Sequence, residues 1–202
     1  MRSYFIAMEG IDGSGKSTIV KRLASYFESN GRTVITVRDP GSTTIGDAIR
    51  EILLNKSFTN MSSHTELYLY LAARAQLAEE RIIPALQANN IVISDRYSLS
   101  TIVYQSLTGK HDLEKLEQLT INAKNYCTPD ITFLLDMPAE KSLERVLSIR
   151  QPDRMEARGV EFLKLVRQRY CDCAKKYKNI HVIDAAKSPD QILNEMIGVL
   201  NV

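Results

Sequence analysis

Tyr4-Phe-Ile-Ala-Met-Glu-Gly-Ile-Asp-Gly-Ser-Gly-Lys-Ser-Thr18 is the stretch on which the fold of this chain turns. The apolar run Phe5, Ile6, Ala7 and Met8 predicts a buried strand. It feeds a loop of Gly10, Ile11, Asp12, Gly13, Ser14, Gly15, Lys16, Ser17 and Thr18, in which Gly10, Gly15, Lys16 and Ser17 match G-x-x-x-x-G-K-[ST]. A helical pattern follows, with Ile19, Val20, Leu23, Ala24 and Phe27 on one face. Glycines let successive backbone N–H groups curl around an anion without a Cβ in the way. The helix that starts at Lys16 aims its positive dipole end at the same anion. Lys16 reaches the terminal phosphates, its side chain expected to pack against no protein group, and the Ser17 hydroxyl can ligate Mg²⁺. The full motif in a strand–loop–helix context predicts a nucleoside triphosphate site.

At 202 residues the chain is expected to be one domain with its own core, residues 1–202, carrying a short lid at about 149–159. A formal net charge of +2 lacks the basic excess of a nucleic-acid binder. Three cysteines form neither a disulfide framework nor a zinc spacing, so reduced thiols in the cytoplasm are expected. There is no apolar stretch long enough to span a membrane.

Further along, residues 33–38 and 91–95 are apolar and β-branched and read as strands two and three. Residues 131–136 and 180–184 read as strands four and five. Between them lie helical patterns: a short one through Ile45, Ala48, Ile49, Ile52 and Leu53, and a long one at 63–89 with Pro84 kinking it or beginning its last segment. Others fall at 99–107, 112–124 and 139–148, followed by a charged, exposed helix at 160–178 and a last one from Pro189. Five apolar strands alternating with helices predict an α/β fold: a five-stranded parallel sheet with helices on both faces. Ligands in such sheets bind beyond the C-terminal strand ends, where Asp12, Arg38, Asp95 and Arg96 fall.

A phosphate loop does not choose among kinases, GTPases and motor-type ATPases. The closest approach to a guanine-reading Asn-Lys-x-Asp is Asn55-Lys56-Ser57-Phe58, which lacks the final carboxylate and disfavours a GTPase. Asp95 can hold the Mg²⁺ shell, and Arg38 and Arg96 can neutralise phosphoryl oxygens. Arg158, Lys164 and Arg167 read as a solvated helix face.

With these residues in view, the chain resembles the bacterial thymidylate kinases over nearly its whole length. Asp95-Arg96-Tyr97, Ser100-Thr101 and Tyr104-Gln105 look like that family's D-R-[YH]-x-x-S-x-x-x-Y-Q block. Arg38-Asp39-Pro40-Gly41 resembles its R-E-P-G segment, and Asp153-Arg154-x-Glu156 its lid signature. The resemblance implies a P-loop nucleotide kinase fold, phosphorylation of dTMP to dTDP with ATP and Mg²⁺, and a homodimer. It implies that Asp12 accepts from the deoxyribose 3′-OH and that Arg38 and Arg96 hold the acceptor phosphate. Tyr70 takes the place of a Phe that stacks on thymine, Arg74 bonds its O4, Thr101 its polar edge, and Tyr104 lies under the sugar, with Ser100 and Gln105 completing the dTMP site. In the lid, Leu147 and Ile149 stand where the family often has Arg, which leaves Arg150 or Arg154 to supply the catalytic arginine. A kinase for another nucleotide or for a deoxynucleoside, and a nucleotide-binding module without turnover, are the two other readings of the same scaffold.

Overall fold

The computed structural model describes residues 3–109, 111–123 and 127–200. The five strands are β1 (Tyr4–Glu9), β2 (Val34–Arg38), β3 (Ile91–Asp95), β4 (Ile131–Asp136) and β5 (Ile180–Asp184). They pair in the order β2-β3-β1-β4-β5, every pair parallel, with β1 at the centre. In this register Ile6 sits opposite Ile93 on one side and Ile131 on the other.

Period-two alternation divides the strand residues between two cores. Ile6, Met8, Ile91, Ile93, Phe133 and Leu135 face α1 (Lys16–Ser29) and α9 (Pro189–Leu200), whose Leu23, Phe27, Ile192 and Met196 cover them. On the other face, Phe5, Ala7, Val37 and Val92 pack with Leu77, Ile82 and Ala85. Leu134 packs with Leu99 and Val103 of α5 (Ser98–Thr108) and with Leu163 and Val166 of α8 (Val160–Lys176). The helices expected from the sequence are present, α2 (Thr44–Leu54) and α7 (Ala139–Ile149) among them. The helix expected at 112–124 is α6 (Leu113–Ala123); its predicted last residue, Lys124, lies outside the described residues.

The long helix expected at 63–89 is built in three parts: α3 (Ser63–Leu77), a π turn (Ala78–Ile82) and α4 (Ile83–Gln87). Pro84 has no N–H for the carbonyl a turn earlier, so the helix widens before it and restarts around it.

The helix at 160–178 is not an exposed one, and this corrects the sequence reading. Its Phe162, Leu163, Val166, Tyr170 and Cys173 form a buried stripe one helix face wide. Charged residues on the remaining faces mask that stripe in composition. Arg167, read as solvated, is half-exposed and grips Asp136 at the end of β4 through two bonds of 2.6 and 2.7 Å. Lys164 does stay at the surface, bridging Glu140 and Glu161.

Two neighbours on α8 test this placement. Leu163→Ala should cost about 2–5 kcal/mol, as expected for a core leucine. Leu165→Ala, at a side chain 57% exposed, should change stability by no more than about 0.5 kcal/mol. Urea unfolding midpoints of the two variants check this, and equal losses would place the helix wrongly.

Candidate active site

The loop after β1 is cradle-shaped because its glycines take conformations that other residues avoid. Gly10 has φ +134°, and a Cβ there would lie 2.5 Å from the Leu135 carbonyl oxygen on β4. Gly15 caps α1 in a left-handed conformation, φ +94°, and turns the first N–H groups of the helix toward the cavity beside the loop. Gly13, Gly15, Ser17 and Thr18 border that cavity, which encloses about 1210 Å³ including its open mouth. Ile11 differs from the rest of the loop, since its side chain is buried in the core.

Lys16 does not stand free of protein. It is buried, and its Nζ donates to the carbonyls of Gly10 (3.0 Å) and Ile11 (2.9 Å). Burial, then the nearby Arg96 cation, makes it easier to deprotonate than an ordinary lysine, an effect opposed by Asp12, Asp95 and Glu9. The loop's lysine is thus folded onto loop carbonyls, while the buried Ser14 hydroxyl has no partner.

Beyond the strand ends the predicted charges converge. Ser17 Oγ donates to Asp95 Oδ2 at 2.6 Å. Arg96 has φ +68°, an unusual backbone for a residue with a side chain, and this turn points its guanidinium back at the loop. It donates to Asp12 Oδ1 (2.8 Å), the Gly10 carbonyl (2.9 Å) and Ser100 Oγ (3.1 Å). Burial alone would raise the Asp12 carboxyl, but Arg96 and Lys16 outweigh it and hold the group well below the usual carboxylate range. Arg38 borders the same cavity, half-exposed, with its backbone N–H donating to Ser42 Oγ at 2.7 Å.

A second, inner cavity of about 560 Å³ opens beside the first. Tyr70, Arg74, Ser100, Thr101, Tyr104 and Gln105, all named from the sequence, line it. Arg74 is fully buried and holds Asp39 Oδ2 through Nε at 2.7 Å. Its Nη2 donates to Thr101 Oγ1 (2.8 Å) and to the Tyr97 carbonyl (3.3 Å), while Nη1 is buried and unpaired. The Tyr104 hydroxyl is likewise buried without a partner, and the Arg96 guanidinium lies 5.6 Å from the centre of its ring. Buried polar groups are normally satisfied, so these two orphans make the cavity a candidate ligand site.

The two lid arginines part company. Arg150 borders the loop-side cavity and pairs with Glu156 through bonds of 2.6 and 2.7 Å. Arg154 donates to the Leu53 carbonyl and to Glu66. The lid itself is shorter than the loop expected at 149–159: α7 runs through Ile149, and Glu156–Arg158 forms a single 3₁₀ turn.

Four charged or polar residues at the site were not singled out by sequence reasoning. Arg50 of α2 borders both cavities, and Arg145 of α7 borders the loop-side one. Each hides in a helix among other surface charges; only its place on the face turned toward the strand ends could have flagged it. Glu9, the last residue of β1, is fully buried and accepts from Tyr97 N (2.9 Å), Ser100 N (3.1 Å), Ser100 Oγ (2.6 Å) and Tyr170 OH (3.1 Å). A carboxylate inside an apolar strand was the available signal for Glu9. Tyr170 sits on the helix misread as exposed.

Comparison with known proteins places these features among relatives. The family model described as thymidylate kinase matches residues 8–196. A thymidylate kinase from Thermosipho melanesiensis is 42% identical over 197 residues, covering 98% of this chain and 97% of that protein. One from Bacillus cytotoxicus is 34% identical over 203 residues, 99% and 98% covered. The crystal structure of thymidylate kinase from Ehrlichia chaffeensis superposes with a TM-score of 0.79 at 32% identity, covering 99% of each chain.

The Glu9 environment carries a pH signature. Burial pushes its carboxyl up from 4.5, against the pull of Arg96 and its hydrogen bonds. A carboxyl with a raised folded-state pKa loses stability as pH climbs from the unfolded value through the folded one. The parent should therefore lose stability relative to Glu9→Gln as pH rises from about 4 toward neutrality. Urea midpoints of the two proteins across that range measure it; a constant or widening advantage for the parent would contradict the burial argument.

Proposed function

We propose a mechanism from one premise: the chain belongs to the thymidylate kinase family. It is a dTMP kinase, moving the γ-phosphoryl group of ATP to dTMP and giving dTDP and ADP. The observation that carries the mechanism is that the loop-side and inner cavities share Asp12, Arg50 and Arg96. Anions entering from the two sides meet there.

On this reading ATP lies along residues 10–18. Its β- and γ-phosphates take the α1 N–H groups and the Lys16 ammonium, which leaves the Gly10 and Ile11 carbonyls to reach them. The acceptor phosphate of dTMP sits between Arg38 and Arg96, with Arg50 beside them, and Asp12 takes the 3′-OH. An oxygen of that phosphate attacks the γ-phosphorus. The new O–P bond forms as the bond to the bridging oxygen of ADP breaks. Little proton transfer is required, so alignment and charge neutralisation supply the rate. Mg²⁺ fits beside the loop, where Ser17 and Asp95 offer hard oxygen donors of opposite character, a hydroxyl and a carboxylate. When bound it would neutralise charge on the phosphoryl oxygens.

The inner cavity takes the nucleoside. The unpaired Arg74 Nη1 meets O4 of thymine, and the Thr101 hydroxyl, whose oxygen already accepts from Arg74, offers its proton to the base edge. Gln105 gives its amide N–H to Glu66, and its carbonyl oxygen, which accepts one long bond of 3.4 Å from Thr108, has a lone pair left for the base N3–H. Tyr70 stacks on the ring, and Tyr104 packs under the 2′ carbon. A cytoplasmic location is supported by three cysteines in no disulfide. A homodimer is supported by family membership and by Ile45, Ile52 and Tyr68, exposed on the packed helices α2 and α3.

Two outcomes are expected. In an ADP-release assay across nucleoside monophosphates, dTMP should be preferred to dCMP by about 10⁴ in kcat/KM, because the cytosine amino group leaves Arg74 unpaired. Arg74→Ala should erode that ratio, whereas equal use of both by the parent would remove the base assignment. In sedimentation, the parent should run as a dimer at micromolar concentration and Ile52→Asp as a monomer, and a monomeric parent would end the dimer proposal.

A further inference from the structure

Glu66 lies in the first turn of α3, behind the wall of the inner cavity, and its side chain is only 6% exposed. A buried carboxylate is costly unless both oxygens are satisfied. Here each oxygen is committed to a different element. Oε1 accepts from Gln105 Nε2 of α5 at 2.6 Å, and Oε2 accepts from Arg154 Nη2 of the lid at 2.5 Å. Arg154 is held from a second side, its Nε donating to the Leu53 carbonyl at the end of α2 at 2.9 Å. One carboxylate therefore ties the lid to α3 and to a residue that lines the nucleoside cavity.

The arginine so used is one of the two that the sequence leaves open for catalysis. Its partner Arg150 borders the loop-side cavity, where phosphoryl transfer is proposed; Arg154 points away into the Glu66–Leu53 clamp. We propose that Glu66 and Arg154 form a latch holding the lid closed over the donor phosphates, and that Gln105 links this latch to the base pocket. Glu66 is a positioning residue in this scheme and touches no substrate. The assignment leaves Arg150 as the lid arginine that faces the transferring group. It rests on the phosphoryl-transfer reading above.

Loss of the latch has a signature that simple loss of a substrate contact lacks. A lid that no longer excludes water lets ATP hydrolyse without acceptor, so ADP forms in excess of dTDP. The test uses the full chain with Glu66→Gln, Arg154→Met and the double variant. Glu66→Gln keeps the side-chain shape but cannot accept from both partners with two carboxylate oxygens. Arg154→Met removes the latch from the lid side, at a residue outside the core, and keeps the test valid if the buried Glu66 variant folds poorly. Three readouts are taken: dTDP per ADP, kcat/KM for dTMP, and tryptic cleavage after Arg150 with and without dTMP.

The parent should give near-equal dTDP and ADP. Each single variant should lose about 10²-fold in kcat/KM, the scale of a misplaced catalytic group. Each should also release surplus ADP and be cut faster after Arg150. The double variant should be no worse than the weaker single, because both substitutions break one interaction. An Arg154→Met protein with parental dTDP per ADP and parental cleavage overturns the latch, as do multiplying losses in the double variant. A parent that forms no dTDP would instead strike at the phosphoryl-transfer reading, so the two failures remain distinct.

Discussion

A carboxylate at the end of the central strand sets the geometry of everything beyond it. Glu9 belongs to β1, which both neighbours pair along most of its length, so its position is fixed by the sheet. Buried there, it must find donors, and it finds them on two helices that cross the sheet: two backbone N–H groups and a hydroxyl at the start of α5, and the Tyr170 hydroxyl of α8. Those bonds hold the first turn of α5 against the strand end. Arg96, one residue before that turn begins to form, is then forced through a left-handed backbone that aims it at the phosphate loop. The cost of burying Glu9 is offset by the placement of Arg96, on which both cavities depend. Ser100 and Tyr170 extend the same network, each meeting the Arg96 guanidinium as well as the carboxylate.

The fold was largely legible because its signals are local and periodic. Apolar strands such as residues 91–95 and 131–136, the glycine-rich turn and the amphipathic α1 each announce themselves within a dozen residues. The phosphate loop and the Asp95–Arg96 pair were legible for the same reason, since spacing alone puts them at strand ends. What failed was long-range. The buried stripe of α8 alternates with seven charged neighbours on its other faces, as periodicity allows for a surface helix, and nothing local shows that a sheet lies under it. Lys16 was expected to touch no protein group because the motif describes only its phosphate partner; it does not disclose that the loop's own carbonyls lie within reach of the ammonium.

The nucleoside cavity shows the limit from the other side. Helical spacing pairs Tyr70 with Arg74, and both do line one cavity. It does not disclose that Arg74 spends most of its donors on protein, on Asp39, Thr101 and Tyr97, and keeps one nitrogen spare. That division has a physical use. A guanidinium pinned on three sides cannot rotate freely, so its free donor is presented in one direction only, and in the proposed base pocket discrimination would come from rigidity as much as from charge. Asp39 reaches Arg74 with one oxygen and leaves the second buried and unpaired.

The charges around the loop are arranged against one another. Arg38, Arg50 and Arg96 lie close enough for Arg50 to hold its proton less firmly, first through burial and then through the other two cations. Lys16 is pushed the same way by burial and by Arg96. The carboxylates lining this cavity are Asp12 and Asp95, and Asp12 is already engaged by Arg96. The site is therefore strained electrostatically before any anion enters, its cations held together by the sheet, the α5 turn and α2. In the proposed mechanism phosphates would relieve that strain at both cavities, and the developing negative charge of the transition state would relieve it further. Fixed cations that need no rearrangement at the moment of transfer are worth more than mobile ones, because their ordering is already done when the substrates arrive. The folding of the chain, which makes Glu9 place Arg96 and Asp39 pin Arg74, is where that ordering is carried out.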